Sequence, residues 1–371
     1  MFRILRKISF LLCLFFSLSC IKTDNPAQDN FTVTLKDSLN REVKIPRDVS
    51  GIICSGAGAL RYICYMQCQD KVIAVDDIEK EHSPFDVRPY AVANPQFQDL
   101  PLFGEFRGND NPELIMALQP QPELIFKTYG TMGYDPVELQ EKTGIPVIVF
   151  EYGDLGANRQ IFYAALDLIG KALHREKRAA EIKEYIDGII ADLDARTRNI
   201  RECKSCYIGG VSYRGALGLQ STEPGYPPFL FLSITNAAVA PQNSELTHMD
   251  VSREKIVEWD PQIIFIDLAT LQSDPRANAL YELKTDPAYR KLRAVISGDI
   301  YGVLPYNWYT QNHGSTLANA YYIGKILYPD KFSDIDPAVK ADEIYTFLTG
   351  KPVFKEINGF FNHLVYQRLE L

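Results

Sequence analysis

Short apolar runs alternate along this chain with longer segments in which apolar residues recur every three or four positions. The runs lie at 51–54, 72–75, 124–126, 147–150, 263–266 and 300–303. Runs of this length are typical of buried strands, and the segments between them have the spacing of helices packed on one face. The alternation predicts an α/β fold of two lobes, each a mainly parallel sheet flanked by helices on both faces.

One long segment departs from the alternation. From about 161 to about 199 the chain has no proline, and residues such as Ile182, Ile186 and Ile189 keep helical spacing between charged positions. If the helix is unbroken from Arg175 to Thr197, it spans roughly 35 Å. We expect this segment to join the two lobes rigidly.

The two ends of the globular part have simpler patterns. Apolar alternation at 31–35 and 41–45, on either side of the polar turn 37–40, predicts a β-hairpin. The region 317–371 has the pattern of helices followed by a loose end. The predicted domains are therefore a signal peptide (1–19), a tether (20–30), an N-terminal lobe (31–160), a linking helical segment (161–202), a C-terminal lobe (203–330) and a helical tail (331–371).

Two stretches 141 positions apart share one pattern. The first runs from Asn111 through Glu113 to Pro120, and the second from Ser252 through Glu254 to Pro261; each continues into an apolar strand. A polar cap, a glutamate in the first turn, an apolar stripe and a proline that ends the helix predict the same helix and strand in both. The repetition indicates a duplicated lobe rather than a solenoid.

The N-terminus has the order of residues found in a secretory signal. Three cations precede an apolar run from Ile8 to Leu18, which is too short for a transmembrane span, and Ser19 and Cys20 follow it. We expect Cys20 to become the lipidated first residue of the mature chain, although cleavage nearby by an ordinary signal peptidase is the alternative. Residues 22–30 are polar and suit a flexible tether.

Composition and charge exclude some classes of partner. The chain has 371 residues, 46% hydrophobic and 23% charged, which is enough for two cores. Its formal net charge is −8, and loss of the three cations of the signal makes it −11. An acidic balance argues against nucleic acid and against a polybasic membrane surface as partners.

Cysteine usage fits an exported protein. Cys203 and Cys206 are close enough in sequence to form a disulfide. The alternative is a metal or redox site that combines this pair with Cys64 and Cys68, but the long gap between the pairs lacks the spacing of such a site.

Several stretches together resemble one family. They are the loop Ser55 to Ala59, Tyr152-Gly153, Ser221 to Tyr226, Gly298 to Tyr301 and Tyr306 to Tyr309, combined with the export signal and the repeated glutamate helices. This combination resembles the periplasmic binding proteins of iron-siderophore, haem and cobalamin importers, over about residues 31–345. The resemblance implies two lobes on a long helix that close slightly around a ligand. It also implies that Glu113 and Glu254 dock on a membrane permease, whereas the plainer alternative is that they only complement helix dipoles.

A ferric siderophore is bulky, rich in oxygen and often anionic, so its receptor needs guanidinium groups and aromatic faces. Loops at the ends of the predicted strands supply both kinds of side chain. The candidate ligand-binding residues are Arg61, Arg107, Tyr129, Tyr213, Arg214, Tyr226, Tyr306, Trp308 and Tyr309. For each arginine the alternative is a solvated surface cation, and for each tyrosine a core aromatic residue.

The loop after the first strand is a further candidate. Gly56, Ala57 and Gly58 precede a predicted helix, and their backbone N–H groups could face an anion. A tight strand-to-helix turn with no ligand explains the same residues.

Other classes of function have weaker signals. A receptor for a bare zinc or manganese ion would need several histidines, and the five in this chain are scattered; paired tyrosines that bind ferric ion directly remain open. No hydrolase, nucleotide-binding or metalloprotease motif is present, and His313 is the one candidate for acid–base chemistry. A scaffold lipoprotein would not need two matched lobes with aromatic loops.

The sequence thus predicts the lipid-anchored, substrate-binding subunit of an ABC importer for a ferric siderophore or a similar complex, with haem, cobalamin or a bare metal ion as alternative ligands. We expect no catalysis, no resident cofactor or metal, and a monomer that works with a permease and an ATPase subunit. It would face the periplasm or the cell exterior.

Overall fold

The computed structural model describes residues 31–80, 88–200, 204–240 and 246–371. The predicted signal peptide, Cys20 and Cys203 lie outside these ranges, so the lipid anchor and the disulfide stay predictions. Within the described ranges, no helix combines the length and apolar character needed to cross a membrane.

The first lobe contains eight of the described strands and four helices. The strands are β1 (Thr32–Lys36), β2 (Glu42–Pro46), β3 (Ile52–Ser55), β4 (Val75–Asp76), β5 (Leu102–Glu105), β6 (Asn109–Asp110), β7 (Leu124–Thr128) and β8 (Val147–Phe150). The helices are α1 (Ala59–Tyr65), α2 (Pro89–Ala93), α3 (Pro112–Ala117) and α4 (Pro136–Thr143). β1 and β2 form the predicted hairpin, and β3, β7 and β8 form a parallel sheet with β7 in the centre.

The second lobe has the same central arrangement. Its strands are β9 (Cys206–Gly209), β10 (Ser221–Thr222), β11 (Met249–Asp250), β12 (Ile263–Asp267) and β13 (Ile300–Val303). Its helices include α7 (Pro227–Phe231), α8 (Arg253–Trp259), α9 (Ala279–Thr285) and α10 (Arg293–Ser297). β9, β12 and β13 are parallel, with β12 in the centre. The predicted fold class, two α/β lobes with parallel sheets, is confirmed.

The repeated sequence units form the corresponding helix and strand in both lobes. The Asn111 side chain caps α3 by accepting from the Leu114 N–H, and the Ser252 side chain caps α8 by accepting from the Lys255 N–H. Each helix then leads into the central strand of its sheet, and all five residues of β7 and of β12 are buried. The two halves of the chain therefore build their sheets around equivalent units.

Two helices rather than one connect the lobes. They are α5 (Arg159–Leu173) and α6 (Glu176–Thr197), and they pack against each other. His174 between them has a left-handed backbone conformation (φ 54°), which ends α5 and turns the chain before α6. The 22-residue α6 matches the predicted long helix to within one residue at its start.

The end of the chain is ordered by pairing, so the prediction of a loose end is wrong. The last helices are α11 (His313–Leu327), α12 (Pro337–Thr349) and α13 (Phe354–Phe360). The Leu369 N–H then donates to the Ile300 carbonyl (2.8 Å), and Gly302 exchanges two backbone hydrogen bonds with residues 366 and 367. α12 also packs on α1 and α2, so the tail of the chain contacts both lobes.

Leu369→Ala should lower the free energy of unfolding by about 2–4 kcal/mol, because the side chain is buried against the edge of the second sheet. Urea unfolding measures the change. Glu370→Ala is the matched control, because Glu370 is exposed and should change stability by less than about 0.5 kcal/mol. Equal effects of the two substitutions would contradict the packing of the Leu369 side chain on the sheet.

Candidate functional site

The loops that follow the parallel strands of the two lobes face each other across a cleft. Ala57 follows β3 in the first lobe, Tyr213 follows β9 in the second, and Trp308 follows β13. All three line one cavity between the lobes. The site thus lies at the carboxyl ends of the strands, which is where ligands bind in open α/β sheets.

The centre of the cleft is a loop of the second lobe, residues 307–311, that is bound to the first lobe. An isolated antiparallel bridge between Asn307 and Gln311 closes the loop at its base. The Arg61 guanidinium of the first lobe donates to the carbonyl oxygens of Gln311 (2.9 Å), Trp308 (3.2 Å) and Tyr309 (3.3 Å). These hydrogen bonds hold the 307–311 loop against α1.

Arg61 is therefore a structural residue, and the structure does not support its prediction as a ligand contact. Its side chain is 1% exposed, and it also donates to the Tyr152 hydroxyl. Burial alone would lower the pKa of Arg61, but the surrounding tyrosines, chiefly Tyr152, raise it overall, so the group stays protonated. The two terminal nitrogens of this buried guanidinium donate to carbonyls and to the Tyr152 hydroxyl, whereas its Nε has no hydrogen-bond partner in the described part of the chain.

Five of the predicted ligand-binding residues line the same cavity. It has a volume of about 320 Å³. Its walls carry the predicted residues Arg107, Tyr213, Arg214, Trp308 and Tyr309, together with Ala57, Ile78, Phe106, Ser212, Gly215, Asn307 and Thr310. We call this cavity the arginine chamber.

The two arginines of the chamber come from opposite lobes and lack acidic partners. The Arg107 guanidinium lies 5.1 Å from the centre of the Phe106 ring, and that of Arg214 lies 5.4 Å from the centre of the Tyr213 ring. Both side chains are exposed, and in the described part of the chain neither forms an ion pair. Ring stacking orients each cation while leaving its N–H groups available for an anion.

A buried network fixes the loop that carries Arg107. The Lys127 ammonium lies 2.7 Å from Asp110 Oδ2, and it also donates to the Ser55 hydroxyl and the Gly108 carbonyl. Both charged side chains are fully buried, so the ion pair is shielded from water. The network ties the β5–β6 connection to the ends of β3 and β7, and this sets the position of Arg107.

The remaining predicted tyrosines lie outside the arginine chamber. Tyr226 and Tyr306 are buried in the core of the second lobe with their rings 5.7 Å apart, so neither lies in the wall of the cleft. Tyr129 is half-buried and lines a second cavity of the cleft, and its hydroxyl lies 3.1 Å from the Thr310 hydroxyl. A sequence pattern cannot separate these cases, because an aromatic residue after a strand suits a core as well as a cleft.

The loop of Gly56, Ala57 and Gly58 is a tight turn with little free space. A Cβ at Gly58 would lie 2.4 Å from Thr310 and 2.5 Å from Tyr152, and one at Gly56 would lie 2.5 Å from Thr128. Both glycines have positive φ, which explains their identity. Ala57 alone of the three lines the arginine chamber, so the alternative of a plain turn describes the two glycines better than an anion cradle.

A second cavity adjoins the first. It has a volume of about 440 Å³ and shares Tyr213, Asn307 and Thr310 with the arginine chamber. Its charged residues are Glu151 and Asp154, and Asp154 accepts hydrogen bonds from the Gly156 and Asn158 N–H groups. The cleft therefore has a cationic side and an acidic side, separated by the 307–311 loop.

His313, the sequence candidate for acid–base chemistry, is inaccessible. Its ring is fully buried, 4.2 Å from the Phe162 ring and 5.2 Å from the Tyr152 ring. Burial lowers its pKa well below the ordinary value, so the imidazole is neutral. The histidine acts as a core residue where α11 enters the interface between the lobes.

The described residues offer no group of ligands for the cysteine metal site or for a bare zinc or manganese ion. Cys54, Cys64 and Cys68 are buried, and burial raises the pKa of the Cys54 and Cys64 thiols. Among the residues that the structure describes, no three His, Cys, Asp or Glu side chains are grouped as ligands of a metal ion would be.

The sequence interpretation missed residues that help to build the site. Thr310 lines both cavities, Ile78 lines the arginine chamber, and Asp76 accepts a hydrogen bond from the Tyr309 hydroxyl at 2.6 Å. Asp76 ends β4 in the first lobe, and a carboxylate at the end of a strand is the signal that could have identified it.

Comparisons with known proteins agree with this architecture. The profile of a family described as "Periplasmic binding protein" matches residues 75–306. No curated protein matches the sequence significantly. Many solved structures also match, at sequence identities so low that the likeness shows the fold alone.

Three of the similar structures are binding proteins whose names give different ligands or no particular ligand. A periplasmic solute-binding protein from Veillonella parvula has a TM-score of 0.68 at 17% identity, over 90% of this chain and 98% of its own. The molybdate-binding protein MolA from Haemophilus influenzae, with molybdate bound, has a TM-score of 0.63 at 17% identity, over 86% and 98%. The petrobactin-binding protein YclQ from Bacillus subtilis has a TM-score of 0.54 at 14% identity, over 85% and 98%.

Arg61→Met should lower the free energy of unfolding by about 3 kcal/mol, because it removes the guanidinium that donates to the Trp308 and Tyr309 carbonyl oxygens of the 307–311 loop. Denaturant unfolding measures the loss. The matched control is Arg107→Met, which removes an exposed arginine and should cost less than about 0.5 kcal/mol. A stable Arg61→Met protein would show that the contact between lobes does not depend on this residue.

Proposed function

Because the chain belongs to the periplasmic binding protein family, whose members serve ABC importers, we propose that it captures a ferric siderophore in the cleft and delivers it to a membrane permease. The family consists of binding proteins for transport rather than enzymes. The permease and the ATPase of the importer would be separate subunits.

The observation that carries this proposal is the arginine chamber. Two guanidinium groups from opposite lobes, Arg107 and Arg214, face one cavity without acidic partners in the described ranges. A site that holds two unneutralised cations favours an anionic ligand, and contacts from both lobes favour one large enough to bridge them.

Aromatic side chains favour an organic chelate over a bare oxyanion. Phe106, Tyr213, Trp308 and Tyr309 supply rings to the chamber walls. The rim of a siderophore offers apolar and planar groups that such rings contact, whereas a small oxyanion needs only hydrogen-bond donors. The similarity to the petrobactin-binding protein supports the same ligand class, and the similarity to MolA makes molybdate the competitor to test.

Docking on the permease would involve the repeated helices. Glu113 at the start of α3 and Glu254 at the start of α8 are exposed. They differ in one respect, because the Glu254 carboxylate lies 3.1 Å from Arg253, which also pairs with Asp286. We expect Glu113 to be available directly and Glu254 to exchange an intramolecular partner for the permease.

Export and anchoring complete the proposal. The family implies a protein that works outside the cytoplasm, and we propose that Cys20 carries a lipid that anchors it to the membrane. The polar residues 22–30 would then let the lobes reach the permease. We further propose that the protein acts as a monomer and needs no resident cofactor.

Arg107→Gln and Arg214→Gln should each weaken binding of the cognate ferric chelate about 10- to 100-fold, because each removes a charge-assisted contact of roughly 1.5–3 kcal/mol. Titration of residues 31–371 with ferric siderophores, haem, cobalamin and molybdate, followed by Trp308 fluorescence in a Trp259→Phe background, measures the affinities.

Tyr226→Phe is the control for this titration, because its hydroxyl lies in the core and its loss should leave affinity unchanged. Saturable binding of molybdate, with no response to any ferric chelate, would replace the proposed ligand by an oxyanion. If the folded protein shows no fluorescence response to any ligand in the panel, ligand capture by this cleft is refuted.

Glu113→Gln and Glu254→Gln should reduce transport about tenfold or more in reconstituted importer while leaving ligand affinity intact, because both carboxylates lie outside the cleft cavities. Glu258→Gln is the control, since Glu258 is exposed on the same helix as Glu254. Weakened ligand binding with normal transport kinetics at saturation would contradict the docking role.

A further inference from the structure

The side chain of Tyr309 connects the two lobes at the edge of the arginine chamber. Its ring forms part of the chamber wall, and its hydroxyl donates to Asp76 Oδ2 at 2.6 Å. The same hydroxyl accepts a hydrogen bond from the Arg107 N–H at 3.3 Å. One phenol thus contacts a buried carboxyl group and the arginine loop of the first lobe.

Asp76 lies in an environment that disfavours a negative charge. Asp76 is 4% exposed. The segment that follows it contains two more acidic residues, Asp77 and Glu79. Burial, followed by repulsion from Glu79, raises the pKa of Asp76 to about 8, although the Tyr309 hydroxyl and Arg88 act in the opposite direction. Arg88 compensates little, because it is paired with Glu79 at 2.6 Å.

Among the described residues, two further titratable groups near Asp76 are neutral. Tyr90 from α2 donates its hydroxyl to Glu79 at 2.7 Å, and burial raises its pKa. The Cys54 thiol of β3 is also buried, and Asp76 contributes to the rise in its pKa. The Arg61 guanidinium donates to the Tyr309 carbonyl on the same loop, and the exposed Arg107 faces the Tyr309 hydroxyl with its backbone rather than its guanidinium.

We propose that Asp76 is a positioning residue for ligand capture: it holds Tyr309 in the wall of the cleft, and its protonation favours the arrangement of the lobes seen in this structure, in which the two side chains are in contact. The effect of ligand charge in this inference rests on the proposed function, which requires an anionic ligand. The part that concerns Asp76 and Tyr309 rests on their contact alone.

The direction of the pH effect follows from which state binds the proton. We call the arrangement in this structure, in which the Tyr309 hydroxyl contacts the buried Asp76, the closed state. Separation of the lobes would expose the carboxyl group to water and return its pKa towards the ordinary value near 4. The closed state therefore binds a proton more tightly than the open state. Closure is favoured as pH falls below about 8 and is weakened as pH rises through that value.

An anionic ligand strengthens this coupling. Tyr309 lies between Asp76 and the chamber, so negative charge in the chamber would repel an ionised Asp76 and favour its neutral form. Ligand capture should then take up a proton. The binding affinity for an anionic chelate should fall as pH rises from 6.5 to 8.5.

The first test needs no ligand. In protein labelled with ¹³C at aspartate carboxyl carbons, the Asp76 signal, assigned by its loss in Asp76→Asn, should titrate with a midpoint near 8. Trp308 emission in the Trp259→Phe background should change over the same range, and this change should be absent from Asp76→Asn. A midpoint below 5 together with pH-independent emission would overturn the proposal.

The second test uses a hexadentate ferric tris-catecholate as the probe. The measured quantity is the dissociation constant of the probe from the wild-type protein divided by its dissociation constant from Asp76→Asn. This ratio should rise on the order of tenfold between pH 6.5 and 8.5. The ratio cancels the pH dependence of the chelate itself. A ratio that does not change with pH overturns the proposed coupling.

Two variants separate positioning from a general structural role. Asp76→Asn keeps an oxygen that can accept from Tyr309, so it should bind the probe as the wild type does at pH 6.5. Asp76→Ala removes the acceptor and should bind several-fold more weakly while its melting curve stays cooperative. Equal binding by Asp76→Ala and Asp76→Asn would show that Asp76 does not position Tyr309.

The outcomes distinguish this inference from the proposed function. If the probe fails to bind any variant at any pH, the proposed substrate class is wrong for this probe, and the ligand-free titration still decides the role of Asp76. If the probe binds with no difference between wild type and Asp76→Asn at any pH, the proposed function stands and the inference fails.

Discussion

The hydrogen bonds of one buried guanidinium set the geometry of the cleft. Arg61 of the first lobe donates to three carbonyl oxygens of the 307–311 loop of the second lobe. This contact fixes where Trp308 and Tyr309 stand, and it divides the space between the lobes into a cationic and an acidic side. Removal of this donor takes a hydrogen bond from the Trp308 and Tyr309 carbonyls, so the arrangement tolerates little change at this position.

Arginines with different surroundings have different roles in this cleft. Arg61 is enclosed by tyrosines, and its N–H groups donate mainly to backbone carbonyls. Arg107 and Arg214 stack on exposed rings, and in the described ranges their guanidinium groups form no ion pair. Tyr309 connects the two kinds of region, since its ring lines the chamber and its hydroxyl reaches Asp76. Ligand contact and lobe contact therefore share one loop.

The local parts of the fold could be predicted from sequence, and the long-range contacts could not. The side chains of Asn111 and Ser252 cap their helices through hydrogen bonds to residues three positions later. Because these contacts are local, the α3–β7 and α8–β12 units could be predicted from the sequence. The acceptors of Arg61 lie about 250 residues away, and a pattern of loop arginines cannot distinguish a donor to backbone from a donor to ligand. Likewise Tyr226 and Tyr309 share the same local context of a polar loop, but only the fold places one in a core and the other at the cleft.

The most direct test of ligand capture is anomalous diffraction at the iron edge from crystals of residues 31–371 grown with the tightest-binding ferric siderophore. The account predicts a single strong iron peak in the arginine chamber, with the Arg107 and Arg214 guanidiniums at hydrogen-bonding distance from the chelate. An iron peak outside the cleft, or a chamber occupied by a ligand without iron, would contradict it.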